Sequence, residues 1–350
     1  PAQVIIRDRE IPVRWDDWRA EGPEAITMVD EAIRDEVDRG FDVERDPLVR
    51  IRLFQTATEE GERLQLCLTM HHLIADGWSL STMVNSLVHH CRRLSSGHSA
   101  SKVIEEAKQR GADSLQLTDH ISWIQAQDRA AFAAHWSEAL QGYDADARFL
   151  SAATNQPFPP AADEQHAGHR MQRSTGRLAA RLLERYASEG ITLSHLLHAA
   201  YGVVLAHESG SDDVMFGSIA SGREHALEGL DEAVGLFITT VPFRVRMRPG
   251  QRVSDFVREV RDFALASAEY TYGSLSDITG QREDIRTLLA FENYSFDDSA
   301  ESFGMKFERG REETSYSVSF AATPSGEELD FTVLHDPKEY ATSDADRLLA

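Results

Sequence analysis

The chain has 350 residues, 41% of them hydrophobic, which is more than one hydrophobic core usually serves, so two lobes are expected. Its formal charge of −22, from 58 acidic against 36 basic residues, repels nucleic acid and anionic membrane and makes both poor partners. No apolar run approaches the ~18 residues needed to span a bilayer, and the two cysteines, Cys67 and Cys91, form no CxxC or other metal spacing. They read as buried, reduced thiols, and a cytoplasmic location is expected.

Pro1 begins the chain without Met or a signal-like segment, and Val4, Ile5 and Ile6 already look like strand, so the sequence reads as a piece of something longer. Pro23 and Gly40 bracket a helix whose apolar positions include Ile26, Val29, Ile33 and Val37. Val49, Ile51 and Leu53 then alternate with Arg50, Arg52 and Phe54. Past a turn at Gly61, Leu64, Leu66, Leu68 and Met70 repeat the alternation, which predicts a hairpin with one core-facing side. From Leu80 the spacing is helical through Met83, Val84, Leu87, Val88 and Cys91, with Ser79 or Ser81 as N-cap. A further helix is predicted over Asp119 to Leu140.

Periodicity disappears over 141–175, where Pro157, Pro159, Pro160 and Gly168 fall, and this marks the domain boundary. The expected organisation is a lobe over 1–145, a linker over 146–175 and a second lobe over 176–350. Thr192 caps the next helix and Gly210 stops it. Val241, Phe243, Val245 and Met247 form a strand, a helix runs from Ser254 to Ala266, and three late strands centre on Leu289, Val318 and Phe331. Each half mixes strands and helices, so the fold class is α/β in two lobes.

The chemistry concentrates in His71, His72, Asp76 and Gly77, which spell HHxxxDG where the second hairpin strand gives way to a helix. Side chains at a strand end sit at the rim of a sheet, and the next helical turn exposes backbone N–H groups. A histidine there handles a proton near neutral pH. A metal site would need His72, Asp76 and a third ligand, and neither His89 nor His90 stands at sensible spacing, so no metal is expected. Gly217–Gly222 lacks the Lys and following Ser/Thr of a phosphate loop and is not GxSxG, so neither a phosphate loop nor serine hydrolysis has support.

HHLIADGWS (His71 to Ser79) resembles the core motif of condensation domains of nonribosomal peptide synthetases, which belong with the chloramphenicol acetyltransferase-like acyltransferases. In the same order, GFDVERDPLVRIRLF (Gly40 to Phe54), LTDHISWIQ (Leu117 to Gln125), DDVMFGSIASGRE (Asp212 to Glu224) and VGLFITTVPFRV (Val234 to Val245) resemble further segments of that family. Thr239 departs from the pattern, standing where the family usually has Asn. The family's opening strand and helix and its final helix have no counterpart in these residues.

The resemblance implies two chloramphenicol acetyltransferase-like lobes in a V-shaped pseudo-dimer with a central tunnel. It implies peptide-bond formation between a donor thioester and the α-amine of an acceptor aminoacyl thioester, with no cofactor bound by the domain. Both substrates would arrive on phosphopantetheine arms of upstream and downstream carrier proteins, with an adenylation domain as a further neighbour. By carry-over His72 is catalytic and His71 structural. Asp76 is a structural anion paired with an arginine, Arg223 before Arg50, and Gly77 lets backbone approach the reacting groups. Trp78 and Ser79 are candidates for the tunnel wall, though Trp78 equally suits packing and Ser79 a helix cap. An epimerisation domain shares HHxxxDG but usually differs at DGWS and GLFITTVP. A cyclisation domain would replace the histidines, and a non-catalytic recruiting relative usually loses part of the motif.

Overall fold

The computed structural model describes residues 4, 6, 10–58, 61–143, 168–173, 177–224, 227–279, 285–293, 303–308, 310, 314–325 and 328–349. They fall into two compact units, Pro1–Leu80 with Val234–Leu236, and Ser81–Ala233 with Phe237–Ala350. The expected linker over 146–175 lies mostly outside the described residues, and its described part, Gly168–Arg173, is a strand. The strand-like start at residues 4–6 also falls largely outside them.

In the first unit, β1 (Val13–Asp17) runs parallel to β2 (Val49–Thr58), which pairs antiparallel with β3 (Gly61–Met70). Between β1 and β2 lies α1 (Glu24–Arg39), entered from Pro23 and closed at Gly40, whose φ of 57° suits glycine and whose N–H donates to the Val37 carbonyl. Its inner face is Ala25, Val29 and Ala32, and Ile26, expected inside, is exposed. These smaller residues bring the helix against Phe54, on which Trp18 stacks with ring centroids 5.4 Å apart.

The hairpin is as read, but its buried side is the opposite one. Arg50, Arg52, Phe54 and Thr56 are buried, while Ile51 and Leu53 are only half-buried. The cause is charge pairing on the covered face. Arg50 Nε meets Glu36 Oε2 at 2.8 Å, and its other nitrogens donate to the carbonyls of Gly40 (2.9 Å) and Glu36 (3.1 Å). Arg52 Nε donates to Asp16 Oδ2 at 2.6 Å. The guanidinium of Arg50 also lies 4.0 Å over the Phe41 ring, and that of Arg52 5.0 Å over Phe54. Such pairing is what lets a buried guanidinium persist; removing one partner of a buried pair costs ~3–5 kcal/mol. Burial alone would raise the Asp16 carboxyl, but hydrogen bonds and charge from Arg52 and Arg14 outweigh it and hold it below its ordinary value.

The second unit is built on a six-stranded sheet of order β4-β9-β8-β7-β5-β6. Its strands are β4 (Gly168–Arg173), β5 (Asp213–Ala220), β6 (Thr239–Arg246), β7 (Thr287–Phe291), β8 (Val318–Ser325) and β9 (Glu328–His335). Parallel pairs β5–β7 and β7–β8 sit inside antiparallel neighbours. Preceding the sheet are α2 (Gly77–Ser95), which begins in the first unit, α3 (Ala100–Asp113), α4 (Leu117–Gln125) and α5 (Arg129–Ala139). The single helix predicted over Asp119 to Leu140 is two. Asp128 accepts from the N–H groups of Ala130 (2.9 Å) and Ala131 (3.0 Å), and so starts a new helix instead of continuing the old one. Among strands and later helices come α6 (Leu178–Tyr186), α7 (Leu193–Ser209), α8 (Val253–Ala268), α9 (Leu275–Thr279) and α10 (Thr342–Leu349). As predicted, Thr192 caps α7, and left-handed Gly210 ends it.

The main core joins α7 and α8 to the sheet through Tyr201, Leu205, Phe216, Phe243, Val245, Val260 and Leu289. A polar pair lies inside it. His198 Nδ1–H donates to the Ser194 carbonyl at 2.7 Å, leaving Nε2 to accept from the Ser218 hydroxyl at 2.7 Å. Burial pushes His198 down to about 4. His120, His135 and His195 are lowered too, chiefly by burial.

An unfolded histidine takes its proton near 6.5, whereas folded His198 resists it until about 4. Stability is therefore complete above pH ~6.5 and is lost as pH falls through that window, by roughly 3 kcal/mol from this residue at the acid end. Thermal melting at pH 7, 6, 5 and 4 should show this decline. In His198→Asn, which removes the titrating ring, the decline over the same window should be shallower whatever the variant's starting stability.

Candidate functional site

His71 and His72 follow directly from β3, and the main chain holds the first of them. His71 N–H donates to the Leu48 carbonyl at 2.9 Å, its own carbonyl accepts from Ile74 N–H at 3.2 Å, and its Nδ1 accepts from Leu73 N–H at 3.1 Å. With Nδ1 used as acceptor, the neutral ring carries its proton on Nε2. The ring meets Phe41 edge-on with centroids 6.0 Å apart, on the same phenyl that carries the Arg50 guanidinium. His72, one residue on in the turn, is exposed. The two histidines thus have different surroundings although they are adjacent in sequence.

Asp76 ends the turn and is only 2% exposed. Its carbonyl accepts from Leu80 N–H at 3.1 Å, and its Oδ1 accepts from both the N–H and the hydroxyl of Ser79, each at 2.8 Å. Asp76 is the N-cap of α2, and the helix starts at Gly77, three residues before the predicted Leu80. The caps expected at Ser79 or Ser81 are therefore displaced. An anion at this position also interacts favourably with the positive end of the helix dipole.

Ser79 is fully buried and connects to a segment distant in sequence. Its Oγ lies 2.8 Å from the Gly235 carbonyl and accepts from Gly235 N–H at 3.0 Å. One hydroxyl proton faces two acceptors, and the charged carboxylate is the stronger. Ser79 therefore belongs to a buried clasp holding Val234–Leu236 beside the HHxxxDG turn. Gly77 and Trp78 are half-buried in the first turn of α2.

The second unit gathers Leu117–Gln125, Asp212–Glu224 and the residues from Phe237 onward. Arg223 Nη1 donates to the carbonyls of Leu230 (2.7 Å) and Ala233 (3.0 Å), and the guanidinium lies 4.6 Å over the Phe237 ring. His120, in α4, meets the same ring edge-on at 5.0 Å and stacks on Trp123 at 6.1 Å. Burial first, then the charge of Arg223, keeps His120 below its ordinary value. Gly222 precedes Arg223 with φ of 66°, and a Cβ there would overlap the Phe237 carbonyl oxygen. Thr239, the departure from the family pattern, donates its hydroxyl to the Thr271 carbonyl at 2.7 Å. Arg50, the second arginine considered for Asp76, gives its donors to Glu36 and Gly40.

Sequence reading singles out His71, His72, Asp76, Gly77, Trp78, Ser79 and Arg223, but not the residues that hold them. Phe41, Gly235, Phe237 and His120 all lie inside the recognised segments, and that membership is the signal that could have found them. Cys67 and Cys91 are in no disulfide and are partly, not fully, buried. Among the described residues, no group of three or more His, Cys, Asp and Glu is arranged to hold a metal ion, and no helix is long and apolar enough to cross a membrane.

A family profile described as Condensation domain matches residues 1–350. The chain is 30% identical over 359 residues to bacitracin synthase 3 of Bacillus licheniformis, covering 97% of this chain and 5% of that protein. It is 30% identical over 338 residues to tyrocidine synthase 3 of Brevibacillus parabrevis, covering 93% of this chain and 5% of that protein. The chain thus spans a small fraction of the length of these relatives. Among solved structures, the condensation domain of a monacolin K polyketide synthase superposes with a TM-score of 0.72 at 16% identity, over 96% of this chain and 76% of that one. The epimerization domain from the third module of a tyrocidine synthetase gives 0.69 at 16% identity, over 98% and 78%. At these identities the likeness establishes the fold, the chloramphenicol acetyltransferase-like one.

The buried clasp and the glycine contact are open to test by stability. Ser79→Ala leaves the Gly235 N–H without its acceptor and should cost about 1–3 kcal/mol. Gly222→Ala, strained by its backbone angle and blocked by the Phe237 carbonyl, should cost more than about 1 kcal/mol. Denaturant titration of the two variants checks both, and a wild-type midpoint in either would contradict the corresponding contact.

Proposed function

We propose that this chain, which belongs to the condensation domain family, forms amide bonds between a donor acyl or peptidyl thioester and the α-amine of an acceptor aminoacyl thioester. The observation that carries the reading is the state of the intact HHxxxDGWS segment. His71 is fixed by main-chain hydrogen bonds, Asp76 and Ser79 are locked in a buried clasp, and His72 is exposed on the turn they hold.

A free α-amine has a pKa of about 8, so a useful neutral fraction exists at pH 7 without a base. The amine nitrogen attacks the thioester carbonyl, the new C–N bond forms, the C–S bond breaks, and the proton lost by nitrogen ends on the departing sulfur. His72 orients the amine and carries that proton, a contribution typically worth 10²–10⁴-fold, or about 3–5 kcal/mol of barrier. Holding two tethered reactants together contributes more. The free energy for the step resides in the thioester, so the chemistry calls for no resident cofactor. Phosphopantetheine arms of donor and acceptor carrier proteins would deliver the substrates, with an adenylation domain loading them. His71 and Asp76 act on the shape of the turn, and Gly77 keeps its first helical residue small.

His72→Ala should lower amide formation by about 10²–10⁴-fold with little change in melting temperature, because it removes an exposed side chain. His71→Ala should lower both, because the Leu73 N–H loses its acceptor. Mass spectrometry of loaded donor and acceptor carriers reads the product directly. A dipeptidyl carrier supports the proposal, an unchanged mass with an inverted α-carbon would make the chain an epimerase instead, and neither product would make it a binding relative.

A further inference from the structure

The second unit holds a cavity of about 660 Å³, apart from every residue singled out above for chemistry. Helices α5 and α8 line it together with β6, the strand that ends the order of the six-stranded sheet. Phe256, Val260 and Phe263 follow one another at helical spacing on α8 and supply an apolar wall, which Ala139 of α5 extends. A volume of this size suits a small molecule, whose sites occupy roughly 300–1,000 Å³.

The charged groups of the lining are Arg244, Arg246 and Arg248, on β6 and just beyond it, with Glu138 and Glu259. Four of the five already have an electrostatic role. Arg244 takes both oxygens of Asp213, at 2.8 and 2.6 Å. Arg248 donates to Glu259 at 2.6 Å. The charge of Glu138 acts on His135, raising a ring that burial lowers more strongly. Arg246 is the exception. It stands 3.7 Å from the Asp213 oxygen that Arg244 holds, and it donates to the Gln141 carbonyl at a long 3.4 Å. Its main-chain N–H is turned outward as well. Met247 donates to the Asp212 carbonyl at 2.7 Å, so by antiparallel alternation the residue before it faces away from β5, toward the open edge of the sheet.

We infer that this cavity binds an organic monocarboxylate with an apolar body, its carboxylate at Arg246 and its hydrocarbon against Phe256, Val260 and Phe263. A guanidinium with no short partner is matched by two carboxylate oxygens in a fork of hydrogen bonds. A single negative charge is what the lining admits. Only Arg246 lacks a close anion, and Glu138 and Glu259 repel a dianion such as a phosphate monoester. Burial of the hydrocarbon supplies the affinity, and the arginine selects the acid over an uncharged molecule of the same length.

Octanoate and 1-octanol are the probes, titrated calorimetrically into the full chain and into its Arg246→Gln and Ala266→Trp variants, with melting temperatures as the check on folding. Ala266 is an exposed residue of the lining, so an indole there occupies the cavity. Octanoate should bind the unaltered chain saturably at one site and raise its melting temperature. Arg246→Gln should weaken octanoate about fivefold and change octanol by less than about twofold. Ala266→Trp should abolish binding of both. Octanoate that shows no saturation by ~10 mM overturns the assignment. So does octanoate binding that survives both substitutions, which would place it elsewhere on the protein. Octanoate and octanol weakened equally by Arg246→Gln overturn the selection of a carboxylate. Should Ala266→Trp fail to fold, the comparison of the two probes on Arg246→Gln decides alone.

Discussion

The hydroxyl of Ser79 is the interaction on which the candidate site depends. It lies among three polar groups with a single proton to give: the Asp76 carboxylate, the Gly235 carbonyl and the Gly235 N–H. A carboxylate 2% exposed needs donors, and Ser79 supplies two, one from its main chain and one from its side chain. The arrangement caps a helix, fixes the end of the histidine turn and secures a backbone segment 156 residues away in one buried cluster. Exposed His72 therefore sits on a turn whose far end is held by buried hydrogen bonds. Removing any member leaves a buried polar group unsatisfied, so the cluster is cooperative by construction.

Two rings perform the equivalent service for the other motif segments. Phe41 takes a guanidinium on one side and a histidine at its edge, and Phe237 does the same with Arg223 and His120. An aromatic face attracts cations, and its edge accepts a second ring, so one phenyl orders two polar side chains without contributing a hydrogen bond of its own. In the first unit this brings together Gly40–Phe54 and the histidine turn. In the second it brings together Leu117–Gln125, Asp212–Glu224 and the residues from Phe237 onward. The segments that resemble a family are thus also the segments that fold upon one another.

The element types were legible where a local signal and the tertiary environment agreed. Pro23 and Gly40, or Thr192 and Gly210, delimit helices by backbone chemistry that no later packing reverses. The register of β2 was legible as a hairpin but not by its buried side, because alternation of Ile and Leu with Arg gives no hint that Glu36 and Asp16 will meet the arginines. The break at Asp128 was likewise hidden, since a single aspartate within an amphipathic run only becomes a cap when the next turn accepts it. His72, Asp76 and Ser79 stood out because their spacing is specific, whereas Gly235 became part of the site only through a hydrogen bond that no spacing encodes.

The placement of Val234–Leu236 with residues 1–80 has a consequence during synthesis. A ribosome adding 5–20 residues per second takes roughly 8–30 s to travel from Ser79 to Gly235, a separation of 156 residues. Through that interval the Asp76–Ser79 pair has its local bond but not its distant one, and the first unit waits, incomplete, for a tripeptide made long after the rest of it. Its nascent sheet is exposed to chaperones and to neighbouring chains for the same time. Slowing translation within this stretch prolongs that exposure, so codon choice between the two motifs bears on the yield of folded protein independently of any amino-acid change.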